Sequence, residues 1–129
     1  MGSYFNKSLP NLSFEEAIEK VTAALKQEGF GILTEIDIKA TLKKKLDADF
    51  HPYKILGACN PSFAHKALNA EDKIGTMLPC NVIVQEKEEG QIEISAVDPI
   101  VSMQAIENDS LGVIANEVRD KLIKAIENI

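Results

Sequence analysis

The sequence predicts an α+β domain built on a mixed or antiparallel sheet with helices on one face. Two observations carry this. Segments with apolar residues at helical spacing alternate with short β-rich segments in the order β-α-β-α-β-α-β-β-α. The last two strands are joined by Lys87-Glu88-Glu89-Gly90, a glycine-containing turn that makes them an antiparallel hairpin. The 129 residues form one domain, residues 1–129. A chain of this size buries roughly two-thirds of its unfolded surface, so the core needs no disulfide or metal. With 45% hydrophobic and 26% charged residues, the composition is that of a folded chain.

The elements follow from local chemistry. Tyr4–Leu9 reads as a first strand ending at Pro10. Ser13-Phe14-Glu15-Glu16 reads as a capping box, in which the Ser13 hydroxyl takes a backbone N–H and Glu16 reaches back. Phe14, Ala17, Ile18, Val21, Ala24 and Leu25 form one apolar stripe, and Gly29 suits the left-handed position after a helix over 14–28. Phe30–Asp37 is a strand with apolar groups on both faces, which places it inside the sheet. Asp37 caps a second helix whose stripe is Ile38, Leu42 and Leu46. After a loop over 47–52, Tyr53–Cys59 is a strand. Asn60-Pro61 then starts a helix, with Asn60 as cap, and Phe63, Ala64, Ala67 and Leu68 on its apolar face. Residues 74–79 are irregular. Cys80–Glu86 and Gln91–Val97 are the hairpin strands, the second with one solvated face, and Asp98-Pro99 ends it. The apolar segment 100–106, with Met103, belongs to the core, a subunit contact or a pocket lining. Leu111 to Ile129 is a long C-terminal helix. This architecture leaves one sheet face open for a ligand or a second subunit.

The net charge of −6 disfavours phosphate backbones, so no nucleic-acid partner is expected. Lys39, Lys43, Lys44 and Lys45 are the one basic cluster, and its ordinary reading is a solvated helix face. No apolar run has the length of a membrane span, and residues 1–9 lack the apolar stretch of a signal peptide. Gly2 resembles a myristoylation start, but Asn6 stands where that motif has Ser or Thr. Together with two cysteines read as free thiols, this points to the cytoplasm.

The runs Gly29–Leu46 (GFGILTEIDIKATLKKKL), Pro52–Leu68 (PYKILGACNPSFAHKAL), Ile74–Val84 (IGTMLPCNVIV) and Val97–Met103 (VDPIVSM) resemble the domain-of-unknown-function 302 family over nearly the whole chain. The resemblance implies a small bacterial or archaeal protein with an α+β architecture similar to the TATA-binding-protein-like fold. It implies no activity, and a fold shared with a DNA-binding protein does not transfer DNA binding.

Four constellations are candidates for chemistry. Cys59 lies one residue before the helix start at Asn60, where unpaired N–H groups favour a thiolate, and His65 is a candidate acid–base partner. The ordinary alternative is a small buried hydrophobe at a strand end. Cys59 and Cys80 are candidates for a redox pair, or with His65 for a zinc site, although no metal-binding spacing is present. Two unrelated core thiols are the plainer reading. Asp47, Asp49 and His51 offer acid–base or metal chemistry, or solvated loop punctuation. Asn60 with Lys54 and Lys66 is a candidate anion or small-molecule site at a helix start, without a glycine-rich nucleotide fingerprint. The leading expectation is a small homodimeric ligand-binding or assembly module. The alternative is thiol-dependent redox or transfer activity at Cys59 with His65 and Cys80.

Overall fold

In the computed structural model, which describes residues 3–129, the chain forms five strands and five α-helices. Gly2 lies outside the described residues. In order they are β1 (Tyr4–Pro10), α1 (Phe14–Gln27), β2 (Gly31–Asp37), α2 (Ile38–Leu46), β3 (Tyr53–Cys59) and α3 (Pro61–Ala70). A short 3₁₀ turn (Ile74–Met77), β4 (Cys80–Glu88), β5 (Gln91–Val97), α4 (Pro99–Met103) and α5 (Leu111–Glu127) follow. The capping box at α1 is present: the Glu16 N–H donates to the Ser13 hydroxyl at 3.1 Å and the Ser13 N–H to the Glu16 carboxylate at 3.4 Å. Asp37 caps α2 by accepting the Ala40 N–H at 2.9 Å. Gly29 and Gly90 take the left-handed conformations their turns require, with φ of 87° and 78°.

All strand pairings are antiparallel, in the spatial order β1-β5-β4-β3-β2. The α+β class and the order of elements are as the sequence predicts, and the sheet is antiparallel throughout. Leu56, Val82, Val84, Ile92, Ile94 and Ala96 are buried on one face of the sheet. They share one core with Ala17, Val21 and Leu25 of α1 and with Val118, Leu122, Ala125 and Ile126 of α5. Each fully buried Val, Leu or Ile contributes about 1.5–3 kcal/mol. A smaller cluster of Ala67, Ile74, Met103, Leu111 and Ala115 joins α3, α4 and α5, so Met103 is a core residue.

β2 departs from the expectation that it lies inside the sheet. It is an edge strand, and a bulge between Ile32 and Thr34 breaks its alternation, with Leu33 68% exposed, so apolar groups on both sides do not mark an interior strand. The expected stripe on α2 is likewise not core. That helix buries no residue, and Leu46 is 71% exposed. The hairpin turn is tighter than the four residues read from sequence, since β4 runs to Glu88 and leaves Glu89 and Gly90 to turn.

Gly57 sits where a side chain has no room. A Cβ there would lie 2.7 Å from the Pro79 ring and closer still to the Thr34 hydroxyl. Gly57→Ala is predicted to cost about 1–3 kcal/mol by chemical denaturation. Adding Thr34→Ala should recover part of that loss. An unchanged midpoint for Gly57→Ala would contradict this packing.

Candidate functional site

The two thiols come together but acquire no chemistry from their surroundings. Cys59 and Cys80 are free and line one cavity of about 30 Å³ with Phe30, Phe63, Met103 and Val118. Burial pushes the Cys80 thiol up to about 11, and the neighbouring Cys59 adds to the rise. Burial also pushes Cys59 up. This direction is opposite to the low thiol pKa that the sequence suggested. His65 does not line this cavity. It is exposed on α3 and bonded to the Asn69 amide at 3.2 Å. Among the described residues no group of three or more His, Cys, Asp or Glu is placed to hold a metal, so Cys59, Cys80 and His65 do not form a zinc ligand set.

The anion-site candidates are dispersed. Asn60 occupies the cap position of α3, yet its side chain makes no cap bond there. Its amide donates instead to the Glu28 carbonyl at 3.3 Å, closing the end of α1. Lys54 lies at the opposite end of β3 and pairs with Glu35 at 2.6 Å. That hydrogen bond raises the Lys54 pKa, with burial opposing it. Lys66 lies over the Phe63 ring at 5.4 Å. In the 47–51 loop, Asp47 and Asp49 pair with Lys43 at 2.9 and 3.3 Å, whereas His51 turns toward the sheet.

The second face of the sheet carries an ordered set of side chains. Leu56, Val82 and Ala96 point into the core, so by alternation Ile55, Ile83 and Ser95 point the other way. The register makes them one lateral row: Ile36 pairs with Ile55, Ile55 with Ile83, Ile83 with Ser95, and Ser95 with Asn6. The row is apolar over β2, β3 and β4 and polar over β5 and β1. Beside it runs a hydrogen-bonded chain. The His51 Nε2–H donates to Gln85 Oε1 at 2.9 Å, and the Gln85 amide donates to Glu93 at 3.1 Å. Lys87 lies 4.0 Å from Glu93. The Ser95 hydroxyl donates to Asn6. Gln85 and Ser95 are only 7% and 8% exposed, and among the described residues no buried side-chain nitrogen or oxygen lacks a partner. Phe50 stacks on His51 at 4.2 Å and Tyr53 meets both rings edge-on. A groove of about 480 Å³ crosses this face, lined by Tyr4, Asn6, Ile83, Gln85, Glu93 and Val97 among others. The isoleucine row escaped the sequence reading because it joins three strands far apart in the chain. The available signal was Ile83, an apolar group on the β4 face opposite Val82 and Val84.

The high Cys80 pKa has a measurable consequence. A thiol pKa raised on folding contributes stability that is full below the ordinary value of 9.0 and is lost as pH rises toward about 11. The expected loss over that window is on the order of 2–3 kcal/mol. Urea denaturation across alkaline pH should show this fall in the native protein and a shallower one in Cys80→Ala. Equal pH slopes would contradict a buried, protonated Cys80.

Among curated proteins none matches this chain. A crystal structure of an uncharacterized conserved protein DUF302 from Bacillus stearothermophilus is similar, with a TM-score of 0.88 at 29% identity, covering 98% of this chain and 97% of that one. The family model for Domain of unknown function DUF302 matches residues 5–129, and the chain belongs to that family.

Proposed function

We propose that this chain is a small homodimeric binding and assembly module of the cytoplasm that works through the outer sheet face. The observation that carries the reading is the row Ile36-Ile55-Ile83 on the face opposite the core formed with α1 and α5. Sheets with one wet face alternate apolar-in and polar-out, and a lateral row of three isoleucines on the outer face departs from that rule. The polar groups beside it are already bonded to one another, which suits a surface that loses its water on binding. The groove of about 480 Å³ is also within the size range of small-molecule sites, which supports the ligand-binding side of the reading. The cytoplasmic assignment is supported by two free thiols that share one cavity. The net charge of −6 weighs against nucleic acid as the partner.

The thiol-dependent alternative has no comparable support. It needs a depressed thiol pKa and a proton acceptor beside Cys59. Burial moves that pKa the other way, and His65 does not line the cavity that holds Cys59.

Light scattering over a roughly tenfold concentration range tests the homodimer through mass action. The expected mass is twice the 14.1 kDa of the chain. A mass of 14.1 kDa throughout would overturn the reading.

A further inference from the structure

We propose that the second copy docks face to face on the outer sheet face, about a two-fold axis that lies along the row Ile36-Ile55-Ile83-Ser95-Asn6. This rests on the homodimer reading and adds the surface and the symmetry. Four observations lead to it.

First, the face has apolar surface to bury at its centre and both rims. Ile36 is 46% exposed at the β2 edge and Tyr4 is 55% exposed at the β1 edge. Phe50 extends the patch beyond the isoleucines and is also exposed.

Second, charge selects this face for a like copy. Each chain carries −6, so two copies meet best where carboxylates are few. The charged residues lining the groove are Lys87 and Glu93, opposite in sign and 4.0 Å apart.

Third, the most buried polar groups of the face are already paired within the copy, which leaves Asn81 and the Tyr4 hydroxyl for the second copy to satisfy. Gln85 bonds both His51 and Glu93, and Ser95 bonds Asn6 within the same copy. Desolvating bonded groups avoids the penalty that follows when a donor or acceptor loses its water without replacement.

Fourth, the pattern is self-complementary about one axis. A closed dimer of identical chains uses the same patch on both copies. A two-fold along the row lays Ile55 on Ile55 and Ile83 on Ile83 of the second copy, and Ser95 on Ser95. A two-fold along the strands through β4 would instead lay the isoleucine half over the Ser95–Asn6 half. The first arrangement also makes a sandwich with sheets about 10 Å apart and strands nearly aligned. Five strands about 4.8 Å apart and seven residues long span roughly 500 Å². The side-chain relief and the Phe50 rim carry this toward the roughly 800 Å² per partner of a standard interface.

The test uses the full chain. Ile83→Lys places like charges at the axis in both copies and should weaken the dimer at least about tenfold by light scattering. Ile83→Val should keep the dimer, as should Val113→Lys on the exposed side of α5. Circular dichroism reports whether each variant is folded. Independently, Ile55→Cys in a Cys59→Ser background should cross-link to itself with a short bismaleimide, giving a covalent dimer. That arm decides the matter if Ile83→Lys fails to fold. A wild-type monomer would overturn the homodimer reading and this inference with it. A dimer that survives Ile83→Lys, or one without the Ile55→Cys cross-link, would overturn this inference alone and leave the homodimer reading standing.

Discussion

α1 and α5 cover one face of the sheet, and the rest of the molecule follows from that asymmetry. α1 and α5 bury Val21, Leu25, Leu122 and Ile126 against Leu56, Val82, Val84, Ile92 and Ile94. With side chains alternating at every residue, a slip of one position would turn this whole set outward, so burial of one face pins the register of all five strands. The same register dictates what faces outward. Once Leu56 and Val82 are inside, Ile55 and Ile83 must be outside, next to each other. The apolar row on the outer face is therefore held in place by the core beneath it.

Around this frame the charged and polar groups brace the structure and the outer face. Asp98 caps α4 through the Ile100 N–H at 3.0 Å and accepts from Arg119 of α5 at 3.3 Å. The Arg119 guanidinium lies over the Phe5 ring of β1 at 5.0 Å, so one side chain links α5 to β1 and to the end of β5. The thiols belong to this structural set. Their cavity is apolar, it raises both pKa values, and it brings no imidazole to either sulfur. The outer sheet face carries its own bonded set, in which Gln85 links His51 to Glu93 and Ser95 bonds Asn6.

Local signals made much of the fold legible. The capping box at Ser13, the glycines at 29 and 90 and Pro61 at the first position of α3 each act through neighbouring backbone, and each stands where the sequence predicts. Expectations failed where a tertiary or irregular feature decided the outcome. The apolar groups on both sides of β2 suggested an interior strand, but β2 lies at the edge of the sheet and a bulge at Leu33 interrupts its alternation. The five-residue helix α4 is too short for periodicity to reveal, although Asp98-Pro99 marks its start. The Asn60 side chain bonds α1 rather than its own helix, a contact between residues 32 positions apart. The isoleucine row depends on three strands in register and on which face the helices cover. Sequence reasoning reached as far as an open face and stopped short of what lies on it.

The most direct measurement is isotope-filtered NMR on an equal mixture of labelled and unlabelled chains, observing isoleucine methyl groups. The face-to-face arrangement predicts intermolecular NOEs from Ile55 and Ile83 to the same residues of the second copy, with Ile92 and Ile94 silent because they lie in the core. Intermolecular NOEs confined to residues of α1, α3 or α5, with Ile55 and Ile83 silent, would place the contact on the helical layer and contradict the account.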